Sequence, residues 1–240
     1  MTAAASGPNR VERALVLALV VFALAHLAAL GSMALVLRSG MDPTAGAPAE
    51  RMAWIASHAT TWRIGWLPWQ LSTFAGIAVS VSLLRWARGD RTAVRIAIVA
   101  LLLDVGSAIV EQWSEAMLVT RFIDVSRGDD LAAWRTEWAL HAALTGVWAN
   151  WGYTAMTACW MEVARRRLGR RVLHGAIEAA VIALFTVASA LSWLATRGTD
   201  DDATARWFML SAAVNGPAFL GLVLWALVLA RRVRARVTPR

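Results

Sequence analysis

Apolar stretches long enough to cross a bilayer recur six times along the 240-residue chain, and the short segments between them carry nearly all the charge. A hydrocarbon core about 30 Å thick takes roughly 20 helical residues to cross. The pattern predicts spans at 14–37, 65–84, 96–119, 138–161, 172–194 and 207–230. Each must be helical, because lipid offers no water to bond the backbone. The expected fold is all-α: a polytopic bundle of six transmembrane helices forming one membrane domain over 1–240. The longest loop, 39–61, opens with the breakers Gly40, Pro43, Gly46 and Pro48. After them, 49–58 reads as a short amphipathic helix lying on the membrane. The first apolar run exceeds a signal-peptide core and lacks a small-x-small cleavage site after it, so it reads as a retained span.

Charge turns this pattern into a topology. All 24 basic residues are Arg. Sixteen of them lie in four segments: the N-terminus, the connection holding Arg85 to Arg95, the connection holding Arg165 to Arg171, and the C-terminal tail. Six spans place all four on one side, with only Glu12, Asp90 and Glu162 as acids there. The opposite loops hold eight Arg and nine acids, among them Asp129, Asp130 and the run Asp200 to Asp202. Basic residues stay cytoplasmic, so both termini are expected inside, in a bacterial-type inner membrane. The net charge of +8 is thereby a topological signal and gives no reason to expect nucleic acid as a partner. Anionic lipid headgroups account for it.

Most of the 14 Trp fall near predicted span ends, as an interfacial belt requires. Trp148 and Trp151 do not; mid-span, they suit helix packing or a cavity wall. Cys159 is the only cysteine, so no intrachain disulfide forms. Pro217, following Asn215 and Gly216, is expected to weaken or kink the last helix.

Ionisable groups inside spans are costly and mark function by default. Three acids share the third span, and at 100° per residue Glu111 and Glu115 each lie about 20° from Asp104, on opposite sides. One narrow stripe therefore carries all three carboxylates. The fourth span presents Glu137, His141, Thr145 and Trp148 on one face, able to meet that stripe. Asp104 and Glu111 are the candidate acid/base groups. His26, Gln70, Glu115, His141, Trp148 and Asn215 are candidate ligand-binding residues around them, and Ser211 could lie at similar depth. Glu111, Glu115, Glu137 and His141 also form a donor set with metal-ligand spacing, although no metal motif is present. Elsewhere, His174 and Glu178 stand at i,i+4, with Glu178 expected to pair with His174 or an Arg. Asn150, Thr154 and Thr157 suit bonds across a helix interface.

Several function classes lose their signatures. No Lys is available for a Schiff base, and neither Gly-x-Ser-x-Gly nor His-Glu-x-x-His occurs. The sequence does not identify a cofactor. The leading expectation is an outward-facing intramembrane pocket for a small or lipidic molecule, with or without acid/base chemistry on it. A proton-coupled carrier using the same carboxylates is the alternative. A third reading is an accessory subunit, partnered by a membrane complex or a second copy of itself.

Overall fold

The computed structural model describes residues 10–42, 45–169, 175–197 and 201–237. Among them all regular structure is helical. Five helices are long and apolar enough to cross a membrane. In chain order the elements are α1 (Arg10–Met41), α2 (Pro48–Ser57), α3 (Ala59–Trp86), α4 (Arg91–Val119), α5 (Arg121–Arg127), α6 (131–168), α7 (Gly175–Ala195) and α8 (Asp201–Val237). The five apolar ones are α1, α3, α4 with α5, α7 and α8. The remaining long helix, α6, is unbroken from Leu131 to Leu168 but includes Trp138, His141, Trp148, Asn150, Trp151 and Tyr153, which lower its apolar character.

Helix boundaries follow local chemistry. Asp90 caps α4, its side chain accepting from the backbone N–H groups of Thr92 (2.9 Å) and Ala93 (3.0 Å). Those bonds, with Arg166 and Arg167 nearby, hold its carboxyl below the ordinary value. Asp130 caps α6 through the N–H of Ala133. Glu50, three residues into α2, reaches back to the N–H of Ala47, and Pro48 occupies the first turn, where it needs no donor. The second long helix begins at Ala59, earlier than its apolar run suggested, because Thr61, Trp62 and Arg63 extend it beyond the hydrocarbon-length segment. Pro217 does not end α8, which stays helical on both sides of it.

Two π-helical stretches, Met33–Leu37 and Ala142–Ala149, interrupt α1 and α6. Each widens the helix by a residue and rotates the turns C-terminal to it. Simple 100° periodicity therefore misplaces the second half of α6.

The long helices form a closed ring, in which each packs on its sequence neighbour and α8 returns to α1. Polar rungs set the antiparallel register. Trp62 Nε1 donates to Leu118 O (2.8 Å), Thr73 Oγ1 to Glu111 (3.0 Å) and Ser80 Oγ to Asp104 (2.6 Å), all between α3 and α4. Asn150 Nδ2 donates to Ser189 Oγ (3.0 Å) between α6 and α7, and Ser192 bonds Ser211 (2.7 Å) between α7 and α8. Such bonds suit a medium where apolar contact alone gives helices little reason to associate. Gly152 lets α6 approach α4 so closely that a Cβ there would strike Ser107 Oγ.

Two cores result. The larger fills the ring with Leu19, Phe22, Val79, Tyr153, Trp160, Phe185 and Trp225 among others. The smaller caps one end, where α2, α5 and the start of α6 fold over Leu37, Trp62, Trp66, Leu118 and Phe122. Arg51 of α2 is buried in that cap, its guanidinium 4.8 Å from the ring centres of both Trp134 and Trp138. Burial draws Arg51 below its ordinary value, and Asp42 opposes the shift. At the other end Arg167 lies over Trp86 (5.4 Å), joining two of the Arg-rich segments.

Candidate functional site

The acid stripe of α4 faces α3 and the ring interior, and each of its members has a different environment. Asp104 is 1% exposed and accepts from Ser80, which in turn accepts from Trp160 Nε1 (2.8 Å). Gly76 makes room for it: a Cβ there would lie 3.2 Å from Oδ1. Glu111, half-buried, accepts from Thr73 alone. Glu115 is 4% exposed, and its Oε2 is buried without a hydrogen-bond partner. No salt bridge reaches any of the three among the described residues.

The acids near the helix ends differ. Glu137 binds Arg121 (2.6 Å). Glu178 is held by Arg165, with Nη2 at 2.5 Å, and by Trp225 Nε1 at 3.2 Å. The expected pairing of Glu178 with a nearby Arg matches that contact; His174 lies outside the described residues. Counter-charge thus goes to the ends of the bundle and is withheld from the stripe.

On α3, α4 and α8 several buried polar atoms are without partners. Trp66 Nε1, Trp69 Nε1, Gln112 Nε2, Glu115 Oε2 and Asn215 Oδ1 are all buried and unbonded. The rungs between α3 and α4 place residue 69 level with 112–115. Trp69 packs edge-on against Phe219 (5.6 Å), one turn from Asn215 on α8. His141 stands edge-on to Trp66 (5.7 Å) and bonds Ser114 (2.5 Å) through Nδ1. Three donors and two acceptors on α3, α4 and α8 are thus left without partners. A buried polar atom without a partner costs about 1–3 kcal/mol, and native proteins rarely tolerate several together without water or a ligand.

His26 sits deeper, at the ring centre, within 2.9 Å of the hydroxyl of Tyr153, the only tyrosine of the chain. Its Nδ1 lies 3.0 Å from the carbonyl of Phe22. A carbonyl only accepts, so Nδ1 carries a proton, and in the neutral ring Nε2 accepts from Tyr153. Phe22 and Phe219 flank this pair, and Phe185 and Trp160 continue the aromatic packing.

The structure joins only part of the residue set expected from the sequence. Asp104, Glu111, Glu115 and His141 face inward, as does Asn215 Oδ1, while His26 bonds Tyr153 and Gln70 is half-buried on α3. Trp148 is 70% exposed on the outside of the ring, apart from the inward-facing polar groups, because the π stretch changes the phase of α6. Glu111, Glu115, Glu137 and His141 do not converge: among the described residues no group of three or more His, Cys, Asp or Glu is placed to hold a metal. Of the three interface candidates on α6, Asn150 bonds across to α7, Thr154 bonds its own helix, and Thr157 Oγ1 has no partner. Ser80, Thr73, Trp66, Trp69 and Tyr153 belong to the constellation, yet sequence reasoning does not single them out; as hydroxyls and aromatics they carry no charge to mark them.

The void beside Ser114, Glu137 and His141 measures about 10 Å³, room for a single water. Met117, Leu118 and Phe122 of α4 and α5 complete its lining. No protein-family model, curated protein or solved structure matches this chain.

Proposed function

We propose that the chain is a six-span membrane protein whose outer half holds a polar chamber for a small or lipidic molecule. Helix α6 is counted as the sixth span: its length matches its neighbours, and it completes the ring. The gathering of Arg at one end supports an orientation with both termini cytoplasmic, in the bacterial inner membrane. The chamber then lies beneath the α2–α5 cap, which must move to admit anything larger than a water.

The observation that carries this reading is the group of unpartnered atoms beside the acid stripe: Trp66 Nε1, Trp69 Nε1, Gln112 Nε2, Glu115 Oε2 and Asn215 Oδ1. An occupant must offer both acceptors and donors. Carboxylates without counter-charge disfavour an anion, so the matching head is uncharged or cationic, bearing hydroxyl, amide or amine groups. Asp104 and Glu111 bond only hydroxyls, so either can exchange a proton without breaking an ion pair. That suits acid/base work on a bound head. A carrier would need a second opening through the packed aromatic layer around His26 and Tyr153, so it is the less supported alternative.

The test compares wild type with Asp104→Asn and Glu111→Gln, purified in mild detergent. Native mass spectrometry and extraction read the co-purified small molecules, and a high-resolution structure reads the chamber. Both variants should insert and fold, and a bound species bearing hydroxyl or amine groups should be depleted at least several-fold in Glu111→Gln. A wild-type interior that is dry, with these atoms paired to each other, overturns the proposal and leaves the accessory-subunit reading.

A further inference from the structure

The hydroxyl of Ser114 on α4 meets an imidazole, not the backbone of its own helix. A serine or threonine within a helix often returns its proton to a carbonyl one turn back. Ser126, Thr154 and Ser189 do so. Ser114 Oγ instead lies 2.5 Å from Nδ1 of His141 on α6, and it has no other hydrogen-bond partner among the described residues. Both side chains are buried.

Hydrogen-bond directions identify the tautomer. Nε2 of His141 lies 3.5 Å from Thr145 Oγ1. That hydroxyl donates to the carbonyl of His141 (2.9 Å), so toward Nε2 it is an acceptor and Nε2 carries the ring proton. In the neutral ring Nδ1 is then bare and accepts from Ser114. Trp66 holds the plane of the imidazole by edge-on contact at 5.7 Å. π-Helical turns begin at the next residue, Ala142, and such turns are frequent at functional sites. A hydroxyl within reach of a base, with the base oriented by a third group, is the arrangement of an activated nucleophile.

The void of about 10 Å³ touches both Ser114 and His141. Glu137, held by Arg121, is the remaining polar group on its wall, and its carboxylate favours an imidazolium there. Helix α4 stops at Val119 and α5 starts at Arg121, with Thr120 between them out of helical geometry (φ −124°, ψ −88°). Phe122 therefore belongs to a separate short element and can swing away without disturbing Ser114. The wall that this movement opens, Met117, Leu118 and Phe122, is apolar.

We propose that Ser114 is a nucleophile activated by His141, and that it forms an acyl-serine from an uncharged carboxylic ester with an apolar acyl group. Oγ bonds the carbonyl carbon as its proton passes to His141 Nδ1, and the imidazolium gives that proton to the departing alcohol oxygen. Water then attacks the acyl carbon. Nδ1 takes its proton and Ser114 Oγ regains it, leaving a carboxylic acid and an alcohol. The reaction uses neither Asp104 nor Glu111, so it does not rest on the acid stripe.

The test treats the full chain in mild detergent with an alkyl fluorophosphonate, whose phosphorus takes the place of the acyl carbon and whose fluoride leaves. Intact-mass and peptide spectra read the adduct. Wild type should acquire one adduct per chain, on Ser114, and should release p-nitrophenol from p-nitrophenyl butyrate. Ser114→Ala should lose the adduct and bring release down to background. His141→Gln keeps a polar side chain but no base, and should slow adduct formation at least tenfold while unfolding in SDS as wild type does. A folded wild type left unmodified, or modified equally at Ser126 and Ser189, overturns the proposal. So does p-nitrophenol release unchanged in Ser114→Ala, or His141→Gln labelled at the wild-type rate.

Discussion

Ser80 joins three helices through one hydroxyl, and its removal should be felt beyond its size. It donates to Asp104 on α4 and accepts from Trp160 on α6, and all three side chains are at most 1% exposed. Hydrogen bonds between membrane helices are worth about 0.6 kcal/mol on average and about 1.7 at most. Ser80→Ala breaks two of them and creates little void, so the expected cost is about 1–3 kcal/mol. Trp160→Phe breaks one of the same bonds and also leaves a gap where the indole was. In the double variant the Trp160–Ser80 bond is lost only once. Its cost should therefore fall short of the sum by that bond alone, about 0.6–1.7 kcal/mol. Unfolding by SDS in mixed micelles, monitored by Trp fluorescence, measures all four corners of the cycle. A Ser80→Ala cost below about 0.5 kcal/mol, or strict additivity of the pair, would refute the hub.

Two further outcomes test the packing and the caps. Gly152→Ala should destabilise by about 1–3 kcal/mol through its collision with Ser107 Oγ, and Ser107→Ala added to it should recover most of the loss in the same unfolding assay, since Ser107 Cβ would stay at contact distance. Asp90 has its pKa held below the ordinary value in the folded state, so its contribution is present above the unfolded pKa and is lost as pH falls through the lower folded one. The stability difference between wild type and Asp90→Ala should be flat above about pH 5 and shrink below about pH 4, close to the unfolded Asp value. A difference that grows on acidification would contradict that sign.

Much of the architecture was legible because membranes impose strict rules on sequence. Apolar length and the need for helical backbone gave the helix positions, and the short helix at Pro48–Ser57 was readable from the breakers before it. Extents were less legible. The helix from Ala59 gains a turn and a half beyond its apolar run, and helical hydrogen bonding continues in polar surroundings where hydropathy is silent. The stripe of Asp104, Glu111 and Glu115 was also readable, since helical period alone puts three residues on one face.

The sequence by itself determined one-dimensional things: where apolar length suffices, which ends collect Arg, and which acids share a helix face. Tertiary structure decided which of those acids receive a cation. Glu137 and Glu178 meet Arg121 and Arg165, while Asp104 and Glu111 meet hydroxyls and Glu115 Oε2 meets nothing. It also decided that Trp148 faces out, through a π stretch whose hydrogen-bond shift leaves no mark in the period of apolar residues. Pairing depends on helix register and on close approaches such as Gly152 against Ser107. Register is a property of two helices at once, so a single chain read along its length does not contain it in any local pattern.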